Sequence, residues 1–214
     1  MARYFAPKGI PFLQTLFAPD TRPAPRTIAD AVLLTRTNTV ARDVTLAFAG
    51  ALLIVATARV AVPLPWTPVP VTGQTFGVLL SAMALGGRRG TAASLLYIAG
   101  GAFGLPVFAG QIGGMAPLTG VTAGYLAAFP IAAFVTGTLA ERGAGRRVAT
   151  AFFAMAFGSL IILTLGAVRL GWLFSNLPTG FMKGFMPFVV GELWKAAGAA
   201  VLLPALWHVA GRRK

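Results

Sequence analysis

Residues 185–204 read Phe185-Met-Pro-Phe-Val-Val-Gly-Glu192-Leu-Trp-Lys195-Ala-Ala-Gly-Ala-Ala-Val-Leu-Leu-Pro204, an apolar run that carries two charges. An α-helix needs roughly 20 apolar residues to cross the hydrocarbon core of a bilayer, and this run is long enough. Glu192 and Lys195 are three residues apart, nearly one helical turn, so their side chains leave the same face of the helix. A charge inside a membrane helix costs about 2.5–3.5 kcal/mol on insertion scales, so it ordinarily faces a partner, a cavity or a ligand. The stretch therefore predicts a membrane helix that carries a polar site.

The composition of the whole chain is that of a polytopic membrane protein. Its 214 residues are 57% hydrophobic and only 11% charged, with a mean hydropathy of +0.77, whereas soluble domains are about one-quarter charged. There is no cysteine, which excludes disulfides and thiolate metal sites, and the single histidine, His208, lies near the basic C-terminus. Catalysis by histidine or cysteine is therefore not expected. The composition favours a non-enzymatic membrane protein with neither a metal nor a cofactor.

We predict an all-α integral membrane protein with six transmembrane helices. The six apolar segments lie at about residues 44–63, 74–87, 91–108, 119–140, 148–170 and 185–209. The net charge of +13 would suggest nucleic acid in a soluble protein, but 14 of the 18 basic residues lie near the termini and in the connections 86–90 and 141–147. These regions share one face if every segment spans, and the connections 64–73 and 109–118 on the other face carry no charge. The positive-inside rule then places both termini in the cytoplasm and leaves no role for nucleic acid.

The chain divides into a membrane domain and two short tails. Residues 1–43 contain five prolines and six basic residues, and we predict a cytoplasmic N-terminal tail with an interfacial helix near residues 27–34. Residues 44–210 form the six-helix membrane domain, and residues 211–214 form a basic C-terminal tail.

The two uncharged connections have the composition of buried segments. Residues 63–74 contain four prolines and cannot be helical throughout, and residues 105–114 are glycine-rich yet apolar. Irregular backbone at membrane depth is tolerated where it packs within protein or lines a cavity. We predict that these segments fold over the outer mouth of the bundle as a lid, with plain hydrophobic turns as the alternative.

Glu192 and Lys195 are the leading candidates for a ligand site in the outer half of the membrane. Glu192 would accept hydrogen bonds from N–H donors, and Lys195 would donate to a carbonyl or an anion. The alternative is an ion pair within one helix that only neutralises itself, although apolar residues could replace such a pair at little cost.

Other residues are weaker candidates for the same site. Gln74 and Gln111 are polar residues in the apolar connections. For each of them the sequence favours neither contact with the ligand nor its absence. An apolar wall for the ligand could come from Trp66, Tyr97, Phe108, Tyr125 and Trp194, although packing is the commoner role of aromatic residues in membrane bundles. Ala47 and Ala51 form a small-residue spacing that permits close helix approach, either to a partner subunit or inside the chain.

These segments, taken in order, resemble the BioY family of biotin-specific substrate-binding subunits of energy-coupling-factor (ECF) transporters. The resemblance spans about residues 44–209. It is carried by Pro65-Trp-Thr-Pro-Val-Pro-Val-Thr-Gly-Gln74, by Leu96-Tyr-Ile-Ala-Gly-Gly-Ala-Phe-Gly-Leu-Pro-Val-Phe-Ala-Gly110 and by Gly191-Glu-Leu-Trp-Lys195. The run Gly-Leu-Pro-Val-Phe is its most specific part. The chain departs from the family pattern at Glu192, where aspartate is common.

The resemblance implies a six-helix bundle in the bacterial cytoplasmic (inner) membrane that binds biotin from outside. It implies a partner transmembrane subunit and two ATPases, and the chain contains no phosphate-binding loop of its own. It also implies that Glu192 and Lys195 hydrogen-bond the ligand, and that the first helix, with Ala47 and Ala51, meets the transmembrane partner.

Four other readings stay open from the residues alone. A stand-alone biotin transporter would need no ATPase genes nearby, and a related subunit would bind another small vitamin. A membrane enzyme such as an acyltransferase would turn over a substrate. A structural assembly factor would show no saturable ligand binding.

Overall fold

The computed structural model describes residues 27–32 and 39–211, and most of these residues are α-helical. The described residues form nine α-helices, with bounds Ile28–Val32 (α1), Thr39–Ala58 (α2), Gln74–Leu85 (α3), Gly87–Ala102 (α4), Ala116–Thr119 (α5), Ala123–Glu141 (α6), Val148–Leu173 (α7), Leu177–Gly184 (α8) and Met186–Gly211 (α9). A short 3-10 turn, Ala144–Arg146, connects α6 to α7. The predicted helical class is confirmed.

Four helical stretches are long and apolar enough to cross a membrane: Val40–Ala58, Ala123–Glu141, Val148–Leu173 and Leu177–Ala210. The remaining two predicted spans correspond to the shorter helices α3 and α4, of 12 and 16 residues. At 1.5 Å per residue, α3 is about 18 Å long, well short of the roughly 30 Å hydrocarbon core. The count of six crossings therefore stays a prediction.

The first long helix begins at Thr39, before the predicted boundary at residue 44. The predicted interfacial helix corresponds to α1, which packs against α3 and α9. Asp30 on α1 accepts a 2.8 Å hydrogen bond from Arg89 at the start of α4. This contact ties α1 to the bundle at the end where α3 turns into α4. The rest of the N-terminal tail, residues 1–26 and 33–38, and residues 212–214 of the C-terminal tail lie outside the described residues.

The proline-rich connection after α2 forms a small β-hairpin, which the sequence did not predict. Strand Ala61–Val62 (β1) pairs antiparallel with strand Val71–Thr72 (β2). The hydroxyl of Thr67, near the tip, donates a 2.7 Å hydrogen bond to the carbonyl oxygen of Lys183 in α8. The hairpin therefore folds over the end of the bundle and contacts the far part of the chain.

The core lies between α3, α6, α7 and α9. Its fully buried large side chains include Leu79 and Met83 from α3, Phe129 from α6, Ile162 from α7 and Leu203 from α9. The turn between α3 and α4 is a single residue, Gly86, whose φ of 91° is a left-handed conformation that favours glycine. This tight turn sets α3 and α4 antiparallel, so that Gln74 at the start of α3 reaches Tyr97 in the second half of α4.

Candidate functional site

The carboxylate of Glu192 is the centre of a buried polar cluster. The residue is 6% exposed and accepts three side-chain hydrogen bonds. Thr75 and Lys195 donate to Oε1 at 2.7 and 2.6 Å, and Ser159 donates to Oε2 at 2.8 Å. Hydrogen bonds to an ionised group are short and roughly twice as strong as neutral ones. Helices α3, α7 and α9 therefore meet at this carboxylate, which has about four acceptor positions and uses three within the described residues.

Lys195 lies on the α2-facing side of this cluster. Its Nζ contacts Glu192 Oε1 at 2.6 Å, the hydroxyl of Thr75 at 2.9 Å and the backbone carbonyl of Thr72 at 2.7 Å. An ammonium group has three N–H donors, so all three are occupied. The rest of the side chain lines a surface hollow between α2 and α9, together with Thr57 and Trp194. In this structure Lys195 compensates the charge of Glu192 and positions Thr75.

A small, partly enclosed cavity of about 50 Å³ adjoins Glu192. Its lining consists of Val69, Pro70, Thr72, Gln74, Thr75, Ala109, Thr122, Tyr125, Leu126, Phe129, Phe188 and Glu192. The hairpin supplies Val69, Pro70 and Thr72, and the second apolar connection supplies Ala109. Small-molecule pockets usually measure about 300–1,000 Å³, so this cavity must widen before it holds a vitamin-sized ligand.

Gln74 lines the cavity, and two of the predicted aromatic residues hold it in place. Its Nε2 donates to the hydroxyl of Tyr97, and its Oε1 accepts from Thr72 at 3.1 Å. Tyr97 in turn donates to the carbonyl of Val107 at 3.2 Å, and its ring meets Phe108 edge-on at 5.5 Å. Tyr97 and Phe108 are therefore buried behind the cavity wall and fix the Gln74 amide.

Tyr125 forms an aromatic wall of the cavity with Phe188, at a ring distance of 6.3 Å. Its hydroxyl donates a 2.6 Å hydrogen bond to the carbonyl of Gly184, which anchors the start of α9. The ring packs directly on Gly166 of α7, where an added Cβ would lie 2.2 Å from the Tyr125 ring. Only glycine leaves room for the ring in this position.

Several predicted site residues do not line the cavity. Gln111 is exposed at a turn, with a φ of 59°, because the connection bends away from the bundle there. Trp66 and Trp194 are 62% and 75% exposed, so they point away from the bundle.

Ala47 and Ala51 are buried within the chain. The neighbouring Gly50 lies against Ala93 and Leu85, so this face of α2 packs on α3 and α4. This face of α2 therefore packs inside the chain, and contact of Ala47 and Ala51 with a partner subunit stays a prediction.

Sequence reasoning missed several residues of the site, among them Thr75, Ser159 and Phe188. Ser159 is a lone hydroxyl in the long apolar helix α7, and Thr75 follows Gln74 directly. A hydroxyl within an apolar helix is a weak signal, because it also satisfies itself by bonding to its own backbone. Only the packing of α7 against α9 shows that Ser159 faces Glu192.

Comparison with known proteins agrees with this fold. Biotin transporter BioY of Rhodobacter capsulatus is 44% identical over 167 residues, which cover 76% of this chain and 83% of that protein. Biotin transporter BioY of Rhizobium etli is 38% identical over 169 residues, which cover 75% of this chain and 90% of that protein.

A crystal structure of the S-component for biotin from an ECF-type ABC transporter has the same fold. The TM-score is 0.72 at 23% identity, and the alignment covers 81% of this chain and 95% of that chain. The family model described as the BioY family matches residues 29–212. The chain therefore belongs to the BioY family.

Proposed function

We propose that this protein captures biotin from the outer side of the bacterial cytoplasmic membrane for import. The relatives at 38–44% identity are biotin transporters, and the family consists of transport proteins, so the chain is not an enzyme. The single observation that carries the ligand assignment is the buried Glu192 carboxylate, which borders a cavity with amide, hydroxyl and aromatic groups. This set of groups matches the chemistry of biotin.

Biotin combines a ureido ring, an apolar thioether ring and chain, and a terminal carboxylate. The ureido ring has two N–H donors and one carbonyl acceptor. Glu192 retains acceptor capacity for one N–H group, and the Gln74 amide offers both a donor and an acceptor. Tyr125, Phe129 and Phe188 supply apolar surface for the thioether ring. We assign the ureido ring to the Glu192 end of the cavity for these reasons.

Lys195 makes this assignment possible by compensating the charge of Glu192. A buried carboxylate without a partner is strongly unfavourable, and the 2.6 Å ion pair removes that penalty. The occupied donors of Lys195 favour a positioning role in the closed state. Direct donation to the ligand, as the family resemblance implies, requires Lys195 to exchange the carbonyl of Thr72 for a ligand oxygen.

Biotin entry requires the hairpin to move. The hairpin covers the cavity with Val69 and Pro70, and its tip is fixed by the Thr67–Lys183 hydrogen bond of 2.7 Å. The bond is part-buried, and a single hydrogen bond of this kind contributes only about 0.5–1.5 kcal/mol net, so it does not prevent the hairpin from moving. The hairpin and the connection that carries Ala109 are therefore the proposed lid.

The proposed topology has six crossings and both termini in the cytoplasm. The connection before α7 and the C-terminal part of α9 lie at one end of the bundle, because Arg146 stacks on Trp207 at 4.7 Å. The Asp30–Arg89 ion pair of 2.8 Å joins α1 to the α3–α4 turn. Basic residues mark cytoplasmic connections. The short helix α3 completes its crossing together with the hairpin.

The proposed partners are a transmembrane subunit and two ATPases of an ECF module. Support comes from the fold, which matches an S-component of such a transporter. Uptake of radiolabelled biotin by cells with and without these partner genes separates this arrangement from a stand-alone transporter. The ECF proposal predicts that accumulation against a gradient needs the partners, and equal accumulation without them contradicts it.

Equilibrium binding of biotin to the purified protein tests the function itself. The proposal predicts saturable binding of one biotin per chain that excess unlabelled biotin displaces. Preferential binding of another small vitamin, or no saturable binding to a folded protein, would overturn it.

A further inference from the structure

An open apolar groove runs along the bundle between α7 and α9, on the side of Glu192 that faces away from the cavity. Its volume is about 690 Å³. Phe153, Phe157 and Leu160 of α7 form one wall, and Val189 and Leu193 of α9 form the other. These side chains are far more exposed than core residues, with Phe153 at 69%. The groove therefore opens to the surroundings of two membrane-spanning helices.

The floor of the groove contains the polar contact between Ser159 and Glu192. Both residues line the groove, and their hydrogen bond of 2.8 Å links its two walls. A polar contact of this kind is stronger when water is kept away from it. A hydrocarbon occupant in the groove would cover this contact and separate it from water.

The length of the groove matches one acyl chain. Its lining on α7 extends from Thr150 to Leu163, which corresponds to about 20 Å at 1.5 Å per residue. One leaflet contributes about half of the roughly 30 Å hydrocarbon core. Ser159 lies about 14 Å along α7 from Thr150, so a single chain of a diacyl lipid that spans one leaflet, about 15 Å deep, reaches the Ser159–Glu192 contact.

One end of the groove is basic. Ala144 and Thr150 line this end, and they flank the exposed side chains of Arg146 and Arg147. Arg142 and Arg147 make no side-chain hydrogen bond or ion pair with any residue in the described ranges. The nearby carboxylate of Glu141 accepts a 2.8 Å hydrogen bond from the backbone N–H of Gly87, so it faces the α3–α4 turn. Arg142 and Arg147 therefore leave positive charge beside this end of the groove that no carboxylate of the described residues compensates.

We propose that this groove is a binding site for an anionic diacyl phospholipid. The phosphate group binds Arg142 and Arg147, and one acyl chain lies along Phe153 and Phe157 over the Ser159–Glu192 contact. Basic pockets between membrane helices recognise anionic headgroups in this way. The site is separate from the biotin cavity and shares only the Glu192 carboxylate with it.

Native mass spectrometry of the purified protein in neutral detergent tests the site, with dioleoylphosphatidylglycerol and dioleoylphosphatidylcholine as probes. We expect one tightly bound phosphatidylglycerol per chain and at least tenfold weaker phosphatidylcholine binding. Each arginine near a membrane surface contributes about a fivefold change in affinity, so R142Q/R147Q should weaken phosphatidylglycerol binding about 30-fold. The control R59Q/R88Q removes the same charge from exposed arginines outside the groove and should leave the affinity unchanged. Equal loss in both double variants would overturn the headgroup assignment.

A second pair of variants tests the acyl chain. Ala156 lines the groove, whereas Ala56 is exposed on α2. A156W should abolish the bound phosphatidylglycerol and A56W should retain it, both in proteins that elute as wild type in size exclusion. Retention in A156W would overturn the groove as the site. Glycerol phosphate, which has the headgroup charge without acyl chains, should not compete, and competition would show that a free phosphate site is sufficient.

Discussion

Ser159 Oγ lies 2.8 Å from Glu192 Oε2 and donates a hydrogen bond to it across the interface between α7 and α9. The two residues are 33 positions apart in the sequence, so only tertiary packing brings them together. Lys195 and Thr75 bind the other carboxylate oxygen. The carboxylate is therefore fixed from three helices, and its orientation toward the cavity depends on all of them.

Removal of the Ser159 hydroxyl should weaken both the fold and biotin binding. S159A deletes one hydrogen bond to a charged acceptor, which contributes about 1.5–3 kcal/mol. We expect a lower unfolding temperature and roughly a tenfold loss of biotin affinity, measured by thermal unfolding and equilibrium binding. Ser94 is also buried, and among the described residues its hydroxyl bonds only to the Thr91 carbonyl on its own helix, so S94A should bind biotin as wild type does. Equal losses in both variants would contradict the role of Ser159.

The charges of Glu192 and Lys195 should be strongly coupled in stability. K195M leaves a buried carboxylate without its cation, which lowers the free energy of unfolding by about 3–5 kcal/mol. The double variant E192Q/K195M removes both charges and should be more stable than K195M alone. Denaturation of wild type, E192Q, K195M and E192Q/K195M in one detergent provides the double-mutant cycle. Additive effects of the two single changes would show that the ion pair does not contribute to the fold.

The contact between Tyr125 and Gly166 predicts that the cavity wall is intolerant of a methyl group. G166A places a Cβ 2.2 Å from the Tyr125 ring, so the ring must shift and the cavity lining with it. We expect biotin affinity to fall at least tenfold. G198A is the matched control, because an added Cβ on that helical glycine meets no atom within 4 Å. Wild-type affinity in G166A would show that Tyr125 does not shape the site.

The Asp30–Arg89 contact predicts a pH-dependent contribution to stability. Burial raises the pKa of the Asp30 carboxyl, but hydrogen bonds from Arg89 and Thr27 and the charges of Arg89 and Arg42 lower it below its ordinary value of 3.8. A carboxyl with a lowered pKa in the folded state stabilises the protein above its unfolded pKa, and this stabilisation is lost as the pH falls through the folded pKa.

D30N should therefore lower the unfolding temperature at pH 7 and have no effect once the pH is below the folded pKa of Asp30. Thermal unfolding of both proteins from pH 7 to pH 2.5 measures the difference. A difference that stays constant across this range would contradict the proposed ionic contact.

The helical membrane fold could be predicted from the sequence because a helix that crosses the hydrocarbon core needs a long run of apolar residues. The segments 119–140, 148–170 and 185–209 correspond closely to α6, α7 and α9. The bounds of the short helices α3 and α4 were harder to predict because glycines interrupt their apolar segments. The hairpin was not predicted, since prolines indicate where a helix is absent and do not specify what replaces it.

The site could be predicted only in part. Glu192 was identified because a buried charge is costly, and Gln74 and Tyr125 do line the cavity. Gln111 lies on an exposed turn. The composition of the connection that carries it could not show which way the backbone bends. Ser159 and Thr75 were missed because a hydroxyl in an apolar helix costs little and bonds easily to its own backbone. The hydrophobic periodicity of a helix does not show which residues of other helices its hydroxyl groups contact.

The proposed function depends on a hydrogen bond from biotin to the Glu192 carboxylate. Isothermal titration of biotin into wild type and E192Q is the sharpest test, because glutamine keeps the size of the side chain, removes its charge and replaces one of its two acceptor oxygens with an NH2 donor. The matched control is E141Q, which makes the same change at a carboxylate outside the cavity and retains an oxygen that can accept from Gly87. We expect wild-type affinity in E141Q and at least a tenfold loss in folded E192Q. Equal affinity in wild type and E192Q would contradict the proposed hydrogen bond.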